Sequence, residues 1–278
     1  MSRFNGWIVG LDCAAQPERF GVAIARLTPG ASLCWTDARR GRRGESIAEY
    51  VAAALARERA RAGPDLSVGG DLLVALDAPL GWPAALGPAL ASHRAGECLD
   101  WGPNQLFRRH TDDVIREQLG LRPLEVGADR IARAAVEALR VLGELRRLLE
   151  ADLELPTSSR FFVADRAEAS RRAGRSAAIE VYPAAVLTAL GLPSRMYKRP
   201  DQEAVRARIL SALEHRGYAE LPPEMHATAL AQPDVLDAVL CICSALEFLQ
   251  RRVIEPEQDA NLAQEGWAWV PDPDVERP

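Results

Sequence analysis

The sequence has few of the residue types that usually bind zinc or form covalent cross-links. Five cysteines and four histidines are scattered over 278 residues, and an odd, dispersed set of cysteines argues against a disulfide framework. No hydrophobic run approaches the roughly 20 apolar residues that a membrane-spanning helix needs. Lys and Arg (34) are outnumbered by Asp and Glu (39), which excludes nucleic-acid binding through overall positive charge. We therefore expect a cytoplasmic protein that does not enter a membrane.

Three familiar sequence motifs are missing as well. The chain contains no G-x-x-x-x-G-K-[ST] loop, no G-x-G-x-x-G after a predicted strand, and no G-x-S-x-G turn. P-loop NTPases, Rossmann dehydrogenases and α/β-hydrolases are therefore disfavoured. The remaining composition, with 48% apolar and 26% charged residues, is that of an ordinary globular protein.

The first third of the chain predicts a mixed sheet. Apolar runs at 7–11, 20–27 and 31–38 are joined by short links, which favour antiparallel hairpins. An alanine-rich helix is predicted over 44–63. The apolar run at 72–76 then follows this helix, so it should return to the sheet as a parallel strand.

The rest of the chain predicts a helical insertion followed by a return to the sheet. Residues 81–175 read mostly as helices, and they follow the fourth predicted strand. A further apolar run at 177–183 and a strong helix at 233–252 complete the pattern. We predict one α/β domain over 1–278, in which a five-stranded mixed sheet is flanked by helices and interrupted by the insertion.

Acidic residues stand where several of these apolar segments begin or end. Asp12 and Asp77 each end a buried strand, and Glu180 lies near the end of another. Ligands in open α/β sheets bind at the carboxyl ends of the strands. Asp234 and Asp237 are three residues apart at the start of a helix and therefore share one face. Helix capping and turn formation are the competing roles for such aspartates.

If these acids converge, the cluster needs a positive partner. Two carboxylates about 4 Å apart repel by about 4 kcal/mol at an effective dielectric constant near 20. Oxygen ligands favour Mg²⁺ or Mn²⁺ over zinc. The predicted ligands are Asp12, Asp77, Asp234 and Asp237, with Glu180 as an auxiliary acid. Two such ions on a carboxylate cluster are typical of phosphodiester hydrolysis.

Four segments carry a resemblance to a known family, and they occur in the order GLDCA, ALDAPLGWP, IEVYP and PDVLDA. They resemble domain-of-unknown-function family 429, predicted nucleases with a ribonuclease-H-like fold. The resemblance implies catalytic acids on the first strand, the fourth strand and a late helix, which here are Asp12, Asp77 and the pair Asp234/Asp237. The D-x-x-D spacing is similar to that of Holliday-junction resolvases, although those usually carry Glu on the fourth strand.

Basic residues near these segments are candidates for substrate contacts. Arg108 and Arg109 follow the fourth strand, and Lys198 follows the IEVYP segment. Arginine and lysine bind phosphate oxygens, but a solvated helix face explains the two arginines equally well. We expect a divalent-metal-dependent nuclease or phosphodiesterase that acts on a nucleic acid or nucleotide. An actin-like Mg-ATP-dependent phosphotransferase or ATPase, and a non-catalytic binding module, are the alternatives.

Overall fold

The computed structural model describes residues 4–28, 33–61, 70–127, 129–163, 174–257 and 261–277. At its centre is a five-stranded sheet with the strand order β3-β2-β1-β4-β5. The strands are β1 (Gly6–Asp12), β2 (Gly21–Leu27), β3 (Leu33–Arg40), β4 (Asp71–Asp77) and β5 (Ser176–Glu180). Each of the five predicted apolar runs overlaps one of these strands.

The directions of the strands also agree with the prediction. β1 pairs antiparallel with β2, and β2 pairs antiparallel with β3. β4 lies parallel to β1, and β5 lies parallel to β4. The helix between β3 and β4 provides the crossover that a parallel pair requires. The predicted mixed α/β sheet, antiparallel and then parallel, is therefore confirmed.

Helices cover both faces of the sheet and fill the predicted insertion. They are α1 (Ile47–Arg61), α2 (Leu86–Leu90), α3 (Pro103–Phe107), α4 (His110–Leu119), α5 (Asp129–Leu149), α6 (Pro183–Ala189), α7 (Glu203–His215), α8 (Pro223–Ala231), α9 (Pro233–Leu249) and α10 (Leu262–Glu265). Helices α2 to α5 lie between β4 and β5, where the insertion 81–175 was predicted. Residues 128 and 164–173 of that insertion lie outside the described part, and the assignment of the whole chain to one domain stays a prediction.

The core has two halves, one on each face of the sheet. Helix α9 packs on one face, and every residue from Val235 to Leu249 is buried. Helices α1 and α5 cover the other face. A helix that is apolar on all sides is typical of a protein interior. In the described residues no single helix meets the length and hydropathy of a membrane span; α8 and α9 meet them only as a pair bent by 116°.

Two glycines allow the start of α9 to approach the sheet closely. A Cβ atom at Gly10 in β1 would collide with the carbonyl oxygen of Ala238, and one at Gly21 in β2 would collide with that of Asp234. Glycine without a side chain permits this approach of one backbone to another. The first turns of α9 are therefore seated directly on β1 and β2, beside the end of β1.

Candidate metal centre

Asp12 and Asp77 lie side by side at the carboxyl edge of the sheet. They are direct partners in the parallel register of β1 and β4. Backbones of neighbouring strands are about 4.8 Å apart, and partnered residues project from the same face. Asp12 is buried and Asp77 is partly buried. The sheet by itself therefore brings the two predicted carboxylates together.

Asp237 completes the cluster from the opposite direction. It lies in the second turn of α9, one residue before the Ala238 carbonyl that approaches Gly10. One carboxylate oxygen from each of Asp12, Asp77 and Asp237 lies within 4.8 Å of the other two. The close seating of α9 on β1 is thus what carries a helical side chain into contact range of two strand ends.

Burial makes negative charge costly in this cluster. Burial raises the pKa of Asp12 well above its ordinary value, and it raises the pKa of Asp77 to about 7. Burial also raises the pKa of Asp237, which is fully inaccessible to solvent. Repulsion by Asp237 further raises the pKa values of Asp12 and Asp77. The cluster therefore requires either protons or a positive partner.

Lys198 supplies one such partner. Its ammonium forms an ion pair with Oδ2 of Asp237, while 52% of the lysine side chain remains exposed to solvent. Burial alone would lower the pKa of Lys198, but the negative charges of Asp237, Asp12 and Asp77 together outweigh burial and raise that pKa well above its usual range. Lys198 therefore stays protonated and places a permanent positive charge at the rim of the cluster.

Tyr197 holds the other oxygen of the same carboxylate. Its hydroxyl donates to Oδ1 of Asp237 over 2.7 Å. The tyrosine is buried, and burial together with the charge of Asp237 raises its pKa well above the ordinary value. The phenol consequently remains a hydrogen-bond donor across the physiological range. Two consecutive residues thus fix Asp237 from both of its oxygens.

The segment that carries these two residues is itself anchored. The buried guanidinium of Arg206 donates to the carbonyl of Tyr197 over 2.7 Å and to that of Arg199 over 2.8 Å. Met196, immediately before Tyr197, has a left-handed backbone with φ of 62°, a conformation that costs a non-glycine residue about 1 kcal/mol or more. Arg206 therefore braces a strained turn that aims Lys198 at the cluster.

Asp234 does not join the three clustered aspartates. Its carboxylate pairs with Arg40 of β3 over 2.9 Å. Asp234 lies nearly one turn closer to the start of α9 than Asp237, next to Gly21 of β2 rather than Gly10 of β1. The helix therefore presents its two aspartates to two different partners, and only the second reaches the strand ends.

Glu180 is directed into a separate buried network. It is the partner of Leu76 in the β4–β5 register, so it is out of phase with Asp77. Arg109 donates to its two oxygens over 2.7 and 2.8 Å, and the same guanidinium also pairs with Asp112. All three side chains of this network are buried.

The three basic residues that were predicted to contact the substrate therefore have different surroundings. A phosphate contact by Arg109 would have to replace its bonds to Glu180 and Asp112. Arg108 is partly exposed and lies 3.6 Å from a carboxylate oxygen of Glu125. Lys198 combines a half-exposed side chain with a position beside the acids. Among the three, its placement is the one that best fits a contact with a bound anion.

Tyr197 and Arg206 were not predicted as site residues. Neither belongs to an acidic or basic motif, because one acts through its hydroxyl and the other through main-chain carbonyls. The sequence did contain one usable signal. Lys198 is the single lysine among 34 lysine and arginine residues. Because lysine carries a compact point charge that arginine does not, its use at this one position makes Lys198 a candidate for a specific role.

The donor set fits a hard divalent cation. All three gathered ligands are carboxylate oxygens, which Mg²⁺ and Mn²⁺ prefer. Oδ2 of Asp237 is buried and pairs with the ammonium of Lys198, and a carboxylate oxygen has a second electron pair that a further cation could use. Three ionised aspartates and one lysine carry a net charge of −2, which one divalent cation would neutralise.

Comparison with known families agrees with the resemblance noted in the sequence. The model of the family named DUF429, a protein family of unknown function, matches residues 10–260, and this span contains the whole candidate centre. No curated protein and no solved structure matches the chain. Because the family model covers nearly the entire length, the chain belongs to the DUF429 family.

Proposed function

We propose that this protein is a divalent-metal-dependent phosphodiester hydrolase, a nuclease or phosphodiesterase, whose centre consists of Asp12, Asp77 and Asp237. The observation that carries the proposal is the convergence of these carboxylates within 4.8 Å at the carboxyl edge of a mixed sheet. Clusters of this chemistry bind Mg²⁺ or Mn²⁺. An ion bound here would polarise a phosphoryl oxygen and lower the pKa of a nearby water.

The arrangement favours one ion rather than the two that the sequence led us to expect. A second ion would need further oxygen ligands, and Asp234 is engaged with Arg40 instead. Lys198 contributes a positive charge at the same carboxylate. We infer that this ammonium takes the electrostatic part that a second ion plays in two-metal centres, where positive charge stabilises the leaving oxygen.

Each residue then has a defined part in binding and orientation. Asp12 and Asp77 hold the ion from the sheet, because their register fixes the spacing of their carboxylates. Asp237 holds it from α9, with its orientation set by Tyr197. The side chain of Lys198 is half exposed, which places its ammonium where it could also contact a phosphate that arrives from solvent.

A paired substitution on α9 tests this function. Asp237→Asn should abolish Mn²⁺ binding measured by calorimetry, together with hydrolysis of bis(p-nitrophenyl) phosphate. Asp234→Asn, three residues earlier on the same helix, is the matched control and should retain both. Equal losses in the two variants, or a wild-type protein that binds no Mn²⁺ at millimolar concentration, would contradict the proposal.

Titrations with Mn²⁺ and with ATP separate the hydrolase from the two alternative functions, an actin-like ATPase and a binding module. Actin-like ATPases duplicate their domain, whereas the described residues of this chain form one five-stranded sheet. That difference supports the hydrolase over the ATPase. Saturable ATP binding without hydrolysis of the diester would favour the ATPase. A protein that binds neither Mn²⁺ nor ATP would instead be a binding module.

A further inference from the structure

A cavity of about 110 Å³ lies next to the candidate metal centre and has Asp77 in its wall. Its apolar lining comes largely from the helical insertion, through Ile115 of α4, Leu124 of the following loop and Ile131 of α5. Tyr182, just after β5, contributes a partly buried aromatic ring. The insertion thus lines a partly open cavity next to the carboxylates of the candidate centre.

The polar part of the lining is the network of Arg109, Glu180 and Asp112. Two carboxylates and one guanidinium give this network a net charge of −1. Oε1 of Glu180 and Oδ1 of Asp112 each accept a hydrogen bond from Arg109 over 2.7 and 2.9 Å. A carboxylate oxygen can accept two hydrogen bonds, so both atoms retain acceptor capacity for a neutral N–H donor.

Size and charge together restrict what can occupy the cavity. Pockets for drug-sized ligands measure roughly 300–1,000 Å³, so this one has room for a single ring-sized group. A phosphate would be repelled by the net negative charge of the network and by Asp77. A planar ring would pack between the aliphatic side chains and Tyr182, since bases stack on aromatic side chains. Carboxylates accept hydrogen bonds from exocyclic amines such as N4 of cytosine.

We propose that this cavity binds one amino-bearing nucleobase (adenine, cytosine or guanine) of the substrate that the metal centre hydrolyses. The inference rests on the proposed function, because the cavity and the centre share Asp77. A base can enter only after it leaves its stack and its pairing partner. The substrate class is therefore an unpaired or single-stranded nucleotide, and the insertion is the element that selects it.

Nucleoside binding to the full-length protein in EDTA tests the cavity without involving the metal. We expect adenosine and cytidine to bind measurably in calorimetry or saturation-transfer NMR, and uridine to bind at least about tenfold more weakly, since one well-placed contact to a base edge discriminates by that much or more. Leu124→Trp, at a side chain that is 67% exposed, should occlude the cavity and weaken adenosine binding about tenfold or more.

Val136→Trp is the matched control, since Val136 is an exposed apolar residue of α5 outside the cavity lining. It should leave adenosine binding unchanged, and thermal melts should show that both variants fold. Equal binding of adenosine and uridine, unchanged binding in Leu124→Trp, or no nucleoside binding by wild type would overturn the assignment. Adenosine binding by a wild-type protein that does not hydrolyse bis(p-nitrophenyl) phosphate would keep the nucleobase site and refute the hydrolase.

Discussion

Replacing Asp77 by asparagine removes one charge from the carboxylate cluster while it preserves the shape of the side chain. Burial raises the pKa of Asp77 from 3.8 to about 7 in the metal-free protein. Each unit of difference between the folded and unfolded states corresponds to about 1.4 kcal/mol. Ionised Asp77 therefore reduces the free energy of unfolding by up to about 4 kcal/mol at neutral pH, and Asp77→Asn should restore that amount.

The sign of the pH dependence follows from the raised pKa. Below the ordinary value of 3.8, the carboxyl group is protonated in both states, so wild type and Asp77→Asn should be about equally stable. As the pH rises towards 7, the unfolded chain releases the proton while the folded protein retains it. The stabilisation that protonated Asp77 provides is then lost. The advantage of the variant should grow across this window and level off above it.

Urea unfolding in EDTA at several pH values measures this difference directly. Added Mn²⁺ should narrow the difference, because an ion stabilises the folded wild type by about 2.7 kcal/mol at 100 times its Kd and by about 4.1 kcal/mol at 1,000 times its Kd, whereas the variant lacks a ligand. Asp234→Asn, which alters a carboxylate paired with Arg40, should show neither effect. The reasoning is refuted if Asp77→Asn destabilises the metal-free protein at pH 7, or if its effect does not change with pH.

Three further substitutions test the surroundings of the cluster. Lys198→Met should bind Mn²⁺ at least about tenfold more tightly in calorimetry, because a competing cation about 4 Å away contributes several kcal/mol. The same variant should hydrolyse bis(p-nitrophenyl) phosphate more slowly than wild type. Tighter binding with full activity would exclude a role for the lysine in hydrolysis. Tyr197→Phe should lower the free energy of urea unfolding by about 1.5–3 kcal/mol, since it removes a hydrogen bond to the carboxylate of Asp237; an unchanged midpoint would argue against this bond. Gly10→Ala should cost about 1–3 kcal/mol in the same assay and weaken Mn²⁺ binding, because its Cβ would collide with Ala238; a stable variant with intact binding would show that α9 does not need this close approach.

Much of the fold was predictable because the signals are local. The buried strands are continuous apolar runs, and the order of strands and helices leaves few topologies once short links and right-handed crossovers are required. The sequence placed Asp12 and Asp77 each at the end of an apolar run, but it left open whether the two strands are neighbours. Neighbouring parallel strands then place those ends side by side. Ends of elements were less predictable: β5 ends at Glu180, whereas the apolar run continues to 183.

The sequence could not predict that the two aspartates of α9 have different partners. Asp234 and Asp237 share a helix face, so their spacing alone predicts that either or both could join the carboxylate cluster. The seating of α9 on Gly10 and Gly21 decided that one pairs with Arg40 and the other meets the strand ends. A rotation of the helix by a fraction of a turn would change both partners, and this rotation is set by packing against the sheet.

The sequence by itself determined the order of strands and helices along the chain, the mixed character of the sheet, the family, and the acids at the ends of the first and fourth strands, because hydrophobic patterns and motifs are properties of short segments. Only the tertiary structure decided that Lys198 and Tyr197 hold Asp237, that Glu180 pairs with Arg109, and that the insertion lines a cavity beside Asp77. The hydrogen bonds among these contacts join residues 40 and 71 positions apart. The close packing of side chains, which no local pattern encodes, selects among them.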